Sequence, residues 1–314
     1  MNIGKLLKNS ILELKRAGIP SAELDARVLL EHATSHDTPF LYSHPDSPIT
    51  NADYGRFRRY IRRRKKGEPI AYIVKHKEFF GYDFFVNKNV LIPRPETEWL
   101  VEEAIKHIEK CHSRPDRESR LDPCLRGDDK TVDNATLRIL DVGAGSGNII
   151  ISMALSLSSN SYRLSSLINF YGADIGKKAI GVARKNAKKL EVKNVKFYLS
   201  DLFSNPRLPR QFDLIIANLP YVPSSTRIKN SESRIMDDIY FEPQDAIFSE
   251  DNGTAIIKKF LCESVDHIEK NGLILIELDP RNAKALHSEA KKFYTNVELK
   301  KDLAGKDRYL IIKK

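Results

Sequence analysis

The chain has 314 residues, of which 41% are hydrophobic and 30% charged. That is enough to bury a real core, and at ~100–200 residues per domain it implies two domains. Its 52 Lys and Arg outnumber 42 Asp and Glu by ten, which favours an anionic partner (nucleic acid, a ribonucleoprotein or an acidic protein surface) without choosing among them. No apolar run approaches the ~18–20 residues of a membrane helix. The Lys-dotted start Met1–Arg16 lacks a small-residue cleavage site and reads as no signal peptide. Cys111, Cys124 and Cys262 are odd in number and widely spaced. They suit a reducing cytoplasm and form neither a disulfide framework nor a zinc pattern.

Residues 1 to about 66 read as helices. Ile3, Leu6, Leu7, Ile11 and Leu14 keep a helical period that ends at Gly18-Ile19-Pro20. Ser21 is the expected N-cap of a second helix carrying Leu24, Val28, Leu29 and Leu30. His32 and His36 have metal-ligand spacing, but no third ligand is in reach, and Pro39 is expected to end the helix, so no metal is expected. A third helix spans about Asn51 to Lys66. Residues 1–75 hold 14 Lys and Arg against 8 Asp and Glu, so six of the ten excess charges sit here. Most of them lie in Arg56, Arg58, Arg59, Arg62, Arg63, Arg64, Lys65 and Lys66. A run with no acid within it is not expected to be neutralised locally. It is either a solvated helix face or a docking surface for an anionic partner, and a charge run carries no address.

From Ile70 to Val86 aromatic and apolar residues alternate, with Gly81 as a turn, and a β-hairpin linking two domains is expected. A helix follows Pro95. Residues 112–134 are rich in both charges, show no period and read as a disordered surface insertion. Beyond them strands and helices alternate to the end: strands at Arg138–Val142, Leu167–Ala173, Val195–Leu199, Asp213–Ala217 and Leu273–Leu278, with helices at Asn148–Leu157, Lys177–Leu190, Thr254–Glu269 and about Arg281–Phe293. The runs Asn296–Lys300 and Arg308–Ile312 are expected to pair as an antiparallel edge. This order predicts an α/β fold with a doubly wound, mostly parallel sheet, and ligands at the carboxyl ends of its strands.

Those ends carry chemistry. The first reads Gly143-Ala144-Gly145-Ser146-Gly147, glycines at alternate positions that let backbone N–H groups approach a ligand. The spacing differs from the dinucleotide fingerprint and by itself is a weak signal. The second strand ends at Asp174, placed to accept ribose hydroxyls, and the third at Asp201-Leu202-Phe203, placed to hold an adenine ring. Together they describe an adenosyl pocket. The fourth ends in Asn218-Leu219-Pro220-Tyr221, one substitution from the NPPY tetrapeptide of methyltransferases that modify planar amino groups. The Asn218 side-chain oxygen and the Leu219 carbonyl can each accept one N–H of a target NH2, and Tyr221 can stack on its plane. Positioning then does most of the work, with no strong general base. The alternative for Asn218-Leu219-Pro220 is a mere turn.

At these residues the chain resembles the release-factor glutamine methyltransferases, the PrmC/HemK family. The resemblance extends to Gly67-Glu68-Pro69-Ile70-Ala71-Tyr72, to Phe79-Phe80-Gly81 with Phe84-Phe85-Val86, and to Leu91-Ile92-Pro93-Arg94-Pro95-Glu96-Thr97-Glu98. It continues in Phe241-Glu242-Pro243 and in Asp302-Leu303-Ala304-Gly305-Lys306-Asp307-Arg308, leaving out only 112–134. The resemblance implies a helical substrate-recognition domain at 1–68, a hairpin linker at 69–92 and a class I, Rossmann-like methyltransferase domain at 93–314. It implies methyl transfer from S-adenosylmethionine to the side-chain amide N5 of the glutamine in the Gly-Gly-Gln motif of class 1 peptide-chain release factors. Carried over by position, Gly143 to Gly147, Asp174, Asp201, Leu202 and Asn218 would line the cofactor site. Asn218 to Tyr221 would hold the glutamine, with Phe85 and the Arg94–Glu98 segment, Arg94 and Glu98 included, as a wall near the methyl. A cytoplasmic monomer that uses no metal is expected.

The chain departs from the family pattern at three places: Leu219 replaces a proline, Leu202 an aromatic that Phe203 is expected to replace, and Leu278-Asp279-Pro280 stands where a glycine is usual. They leave open a slow enzyme. Two other readings stay in play: an amino methyltransferase acting on nucleic acid, such as adenine N6, and a non-catalytic factor-binding protein with a decayed site.

Overall fold

A computed structural model describes residues 1–112, 136–160, 167–226 and 238–314. Of the insertion expected at 112–134, residues 113–134 lie outside the described residues. The chain divides into two compact units, Met1–His76 with Ile228–Glu242, and Lys77–Arg227 with Pro243–Lys314. Among the described residues no helix is long and apolar enough to cross a membrane.

The first unit is helical: α1 (Ile3–Arg16), α2 (Ala22–Thr34), α3 (Thr38–Ser43), α4 (Asn51–Arg64) and α5 (Ile70–Val74). Side-chain caps start three of them. Asn2 accepts from the Lys5 N–H, Asp37 from Phe40 and Thr50 from Asp53. Ser21 stands at the N-cap of α2 but does not cap it, because its hydroxyl donates to Asp25 instead. Pro39 does not end α2 as expected: α2 stops at Thr34, where Ser35 turns left-handed, and Pro39 opens α3, since a proline in the first turn forfeits no helical hydrogen bond. Leu6, Leu14, Leu29, Leu30, Phe57, Ile61 and Ile73 form the core. Ile70–Val74, expected within the hairpin, is a single helical turn and a half, and its Ile73 and Val74 join that core.

The expectation that the basic run is not neutralised locally is overturned. Glu13 on α1 takes Arg58 and Lys65, at 2.6 and 2.9 Å; Glu68 takes Arg63 at 2.7 Å; Asp53 takes Arg56; and Asp25 takes Arg64 at 2.7 Å. Asp53 and Glu68 flank the run in sequence, whereas Glu13 and Asp25 come from α1 and α2, which a count within the run misses. Arg59, Arg62 and Lys66 remain exposed, without a carboxylate partner among the described residues.

In the second unit, β1 (His76–Phe79) and β2 (Tyr82–Phe85) form a hairpin. The Phe80 N–H is held by Glu98 at 2.9 Å. Then follow α6 (Glu98–His112), β3 (Leu137–Val142), α7 (Asn148–Asn160), β4 (Ile168–Asp174), α8 (Lys177–Lys189), β5 (Val195–Leu199), β6 (Phe212–Ala217), β7 (Val222–Pro223), β8 (Phe248–Ser249), α9 (Ala255–His267), β9 (Ile268–Glu277), α10 (Ala283–Ala290), β10 (Asn296–Lys301) and β11 (Asp307–Lys313). The seven-stranded sheet runs β10-β11-β9-β6-β3-β4-β5, with β9, β6, β3, β4 and β5 parallel and β11 antiparallel to both of its neighbours.

Both faces of the sheet are covered, and the central strands are apolar throughout. Ile139, Leu214, Ile216, Leu273 and Leu275 pack under α6, α7 and α8. Leu140, Ile215, Ala217, Ile274 and Ile276 pack under α9 and α10. The alternation has the period of two that a strand imposes. The chain leaves β3 toward β4 and β5 on one side and returns to β6 on the other, so a crevice is built at the carboxyl ends of β3 and β6.

Candidate active site

Strand register assembles the site. Val142 pairs with Ala173 on one side and Ala217 on the other, and Ala217 pairs with Ile276. The next residue of each strand or its outgoing loop is Asp174, Gly143, Asn218 and Glu277, a row across neighbouring strands at roughly 4.8 Å intervals. Asn218 and Glu277 lie two residues beyond Ile216 and Leu275, so they share the sheet face that α6 covers. Thr97, in the 3-10 turn Pro95–Thr97 that precedes α6, reaches them there.

The glycine loop carries its own electrostatics. Asp174 accepts the Gly145 N–H at 2.8 Å and the Gly176 N–H at 2.7 Å; burial raises its pKa, and these two N–H groups oppose the rise. Asp141, at the end of β3, is fully buried, and neither carboxylate oxygen has a hydrogen-bond partner among the described residues. Burial pushes its pKa up to about 8, offset in part by the nearby Ile150 N–H and reinforced by Asp174. Gly145 has φ +53, and a Cβ there would meet nothing closer than the Gly143 carbonyl at 3.9 Å, so the loop opens onto free space. An orphaned buried carboxylate beneath an open glycine loop, with an acid at the next strand tip, fits a ligand rich in donors, as an adenosyl amino acid is. Among the described residues no group of His, Cys, Asp and Glu is arranged to hold a metal.

Asn186, buried on α8, binds this loop to the hairpin. It accepts the Phe85 N–H at 2.7 Å and donates to the Phe85 carbonyl at 3.0 Å and the Ser146 carbonyl at 2.8 Å. Phe85 is therefore held beside the glycine loop, with the Lys185 ammonium 3.2 Å above its ring. Glu98 is committed to the hairpin turn. Arg94 caps the 3-10 turn through its carbonyl, and its charge bears on Tyr221.

At the third strand tip, Leu202 is buried at a left-handed φ of +47, its carbonyl accepting the Ser200 hydroxyl. Asp201 is half-exposed and paired with Lys259 at 2.6 Å. Phe203 was expected to stand in for the aromatic that Leu202 replaces. It is instead buried between Phe260 and His267, its ring 4.4 Å from the imidazole, and is not free to stack on a ligand.

The tetrapeptide is tied to its neighbours through side-chain hydrogen bonds. Asn218 Nδ2 donates to Thr97 Oγ1 at 3.0 Å and to Glu277 Oε2 at 3.1 Å. Both amide hydrogens are thus used, and Oδ1 faces away with no donor among the described residues. Nor does any described group donate to the Leu219 carbonyl. The Leu219 side chain is buried, and its Cδ2 lies 3.1 Å from where a Cβ on Gly143 would be. Pro220 restrains the backbone of Leu219. The Tyr221 hydroxyl donates to Glu277 Oε1 at 3.1 Å; burial and the Glu277 charge hold the phenol protonated at any working pH. Behind it, a turn at Glu250–Gly253 packs so closely that a Cβ on Gly253 would fall 2.2 Å from the Tyr221 carbonyl. Sequence reasoning passed over Glu277, Asp141 and Asn186 as site residues, and reached Thr97 only as part of the Arg94–Glu98 segment. The signal available was an acid ending an apolar strand, for Asp141 and Glu277, and a polar residue on the apolar stripe of α8, for Asn186.

The model of a PrmC N-terminal domain matches residues 5–74, and that of a methyltransferase domain residues 133–307. The release factor glutamine methyltransferase of Buchnera aphidicola subsp. Acyrthosiphon pisum is 34% identical over 100% of this chain and 99% of its own length. That of Koribacter versatilis is 32% identical over 100% and 99%. A bifunctional methyltransferase of Rickettsia conorii is 32% identical over 99% of this chain, which covers 57% of it. The catalytic domain of hMettl16, solved in complex with the MAT2A 3'UTR hairpin 1, shares the fold at a TM-score of 0.50 and 14% identity, covering 75% of each chain. Matched along its whole length by such relatives, with the helical module and the methyltransferase sheet both in place, the chain belongs to the release factor glutamine methyltransferase family.

Proposed function

We propose that the chain methylates the side-chain amide nitrogen of the glutamine in the Gly-Gly-Gln motif of class 1 peptide-chain release factors, acting as a monomer in the cytoplasm. One observation carries the reading: Asn218 and Leu219 offer two adjacent carbonyl acceptors at the switch point of the sheet, and the Asn218 amide is held so that it can only accept. Gly143, Ala144, Gly145, Ser146 and Gly147 would hold S-adenosylmethionine with Asp174, Asp201 and Leu202. When bound, the cofactor supplies an electrophilic methyl and becomes S-adenosylhomocysteine.

An amide nitrogen is a poor nucleophile because its lone pair is delocalised into the carbonyl. Asn218 Oδ1 and the Leu219 carbonyl accept its two hydrogens, fix its plane, and stabilise the positive charge that grows on nitrogen as its bond to carbon forms. One of the two protons then leaves to water, so no strong base is required. Tyr221 and Phe85 bound the plane of the amide, with Arg94 and Glu98 in the wall beside them.

The test uses purified protein with labelled S-adenosylmethionine and, in parallel, a release factor and total nucleic acid. Label in the factor that disappears when the Gly-Gly-Gln glutamine is replaced supports the reading; label only in nucleic acid overturns it. In the same assay Asn218→Ala abolishes transfer while leaving cofactor affinity nearly intact, because the contribution of Asn218 lies in the transition state. An equal loss of both places Asn218 in cofactor binding instead.

A further inference from the structure

We propose that Glu277 is a positioning residue for the amide site: its buried carboxylate, together with Thr97, fixes which end of the Asn218 side chain faces the substrate and anchors Tyr221 in the same network. The proposal rests on the amide-transfer reading above. Glu277 ends β9 and is 1% exposed. It receives three donors: the Thr97 hydroxyl at 2.7 Å and Asn218 Nδ2 at 3.1 Å on Oε2, and the Tyr221 hydroxyl at 3.1 Å on Oε1.

The directions of these bonds are determined. An ionised carboxylate can only accept, so Thr97 must donate to it and is left to accept from Asn218. Rotating the Asn218 amide by half a turn would set its oxygen against the Glu277 carboxylate and strand the Thr97 lone pair. The side chain therefore has one orientation, with Nδ2 toward Glu277 and Oδ1 turned away. Without this lock an asparagine presents either end, and half of its orientations would offer a donor to a target NH2 that is itself a donor.

Burial raises the pKa of Glu277, against the hydrogen bonds from Thr97 and Tyr221 and the Arg308 charge. The titratable and charged groups that bear on it are Arg308 and Tyr309 on β11, Glu96 beside Thr97, and Tyr221. Glu96 favours the neutral form and Arg308 the ionised one. Protonated on Oε1, Glu277 would donate to the Tyr221 hydroxyl oxygen and keep Oε2 as acceptor for Thr97 and Asn218, so the asparagine stays locked.

The experiment labels the full chain with 15N-asparagine and follows the Asn218 side-chain NH2, identified by its loss in Asn218→Ala. The variants are Glu277→Gln, Glu277→Leu and Thr97→Val. In the wild type this NH2 exchanges with solvent at least ~10-fold more slowly than that of an exposed asparagine, since both hydrogens are bonded internally. Glu277→Gln keeps the protection: its amide oxygen serves Thr97 and Asn218, and its NH2 donates to the Tyr221 oxygen. Glu277→Leu and Thr97→Val lose it. In methyl transfer, Glu277→Leu lowers kcat ~10²–10³-fold with the dissociation constant for S-adenosylmethionine within ~3-fold, the range for removing a group that orients a transition-state contact. Glu277→Gln stays within ~10-fold, as the retained orientation of Asn218 requires. Retained protection and kcat in Glu277→Leu and Thr97→Val overturn the proposal. So does a loss of cofactor affinity in step with kcat. A wild type that shows the protection pattern but methylates no release factor leaves the lock standing and removes the substrate reading.

Discussion

Asp25→Ala tests how the basic run of α4 is stabilised. Asp25 and Arg64 have side chains 6% and 7% exposed, and the carboxylate also accepts the Ser21 hydroxyl. Arg64 is further bound to the carbonyls of Gly67 and Glu68, at 3.4 and 3.1 Å, so it ties α4 both to α2 and to the turn that follows α4. Removing the acid takes the α2 carboxylate away from a desolvated guanidinium, which costs about 3–5 kcal/mol. A unit built on residues 1–76 has a total stability of only about 4–11 kcal/mol at typical values per residue. The melting transition of the helical unit should therefore fall by about 12 °C or more, at 4–8 °C per kcal/mol for a domain of this size. Scanning calorimetry and far-ultraviolet circular dichroism of the full chain read the shift. Asp53→Ala is the control: it breaks the pair with the half-exposed Arg56 and costs under about 1 kcal/mol. The double variant Asp25→Leu with Arg64→Met recovers more than half of the loss, because apolar side chains of similar volume replace buried ion pairs at little cost. A shift below about 4 °C in Asp25→Ala, or no recovery in the double variant, would refute the reasoning.

Two further predictions concern the cofactor loop. The pKa of Asp141 is raised from 3.8 to about 8, so the native state holds a proton that the unfolded chain releases above pH 4. The stability this contributes is present below pH 4 and is lost as pH rises to about 8. Asp141→Asn should match the wild type in melting temperature near pH 4 and exceed it progressively toward pH 8; equal slopes from pH 4 to 8 would show that Asp141 is ionised throughout. Asn186→Ala removes one buried and two part-buried hydrogen bonds and orphans the Phe85 and Ser146 groups they satisfied, a loss of about 2–4 kcal/mol. It should also weaken S-adenosylmethionine binding by calorimetric titration, whereas unchanged affinity would mean that the hairpin and the loop are held independently.

The sheet, its order of strands and helices, and the tips bearing Gly143, Asp174 and Asn218 are legible in the sequence because they follow from local patterns: apolar strands of a few residues, alternate glycines, a tetrapeptide. Boundaries erred by a few residues, and Ile70–Val74 was assigned to the wrong element, since five apolar residues have no period long enough to separate a helix from a strand. What stayed hidden depends on pairing across the fold. Thr97 and Glu277 are 180 residues apart, and the network that orients Asn218 exists only once β6 lies beside β9 and the Pro95–Thr97 turn folds over both. The charge of α4 was misjudged for the same reason: the neutralising Glu13 and Asp25 precede it by 45 and 39 residues.

Two carbonyl acceptors, however well oriented, select an NH2 and nothing more. They would serve the exocyclic amine of a base as readily as the amide of a glutamine, which is why an NPPY-like tetrapeptide cannot name its substrate. Orientation still excludes something, because an Asn218 locked by Thr97 and Glu277 rejects any group that needs a donor, such as a carboxylate. Discrimination between an amide on a protein and an amine on a base must therefore come from contacts beyond the tetrapeptide. The run of eight cations from Arg56 to Lys66, six of them on α4, once looked like the obvious source, but five of the eight are already bound to carboxylates of the same unit. The unpaired remainder is Arg59 and Arg62, about one helical turn apart on α4, and Lys66 in the turn that follows it. Three exposed charges within eight residues make a small patch. That is a short contact, matched in size to a few acidic side chains on a protein surface, and too short to track a nucleic-acid backbone over a binding site.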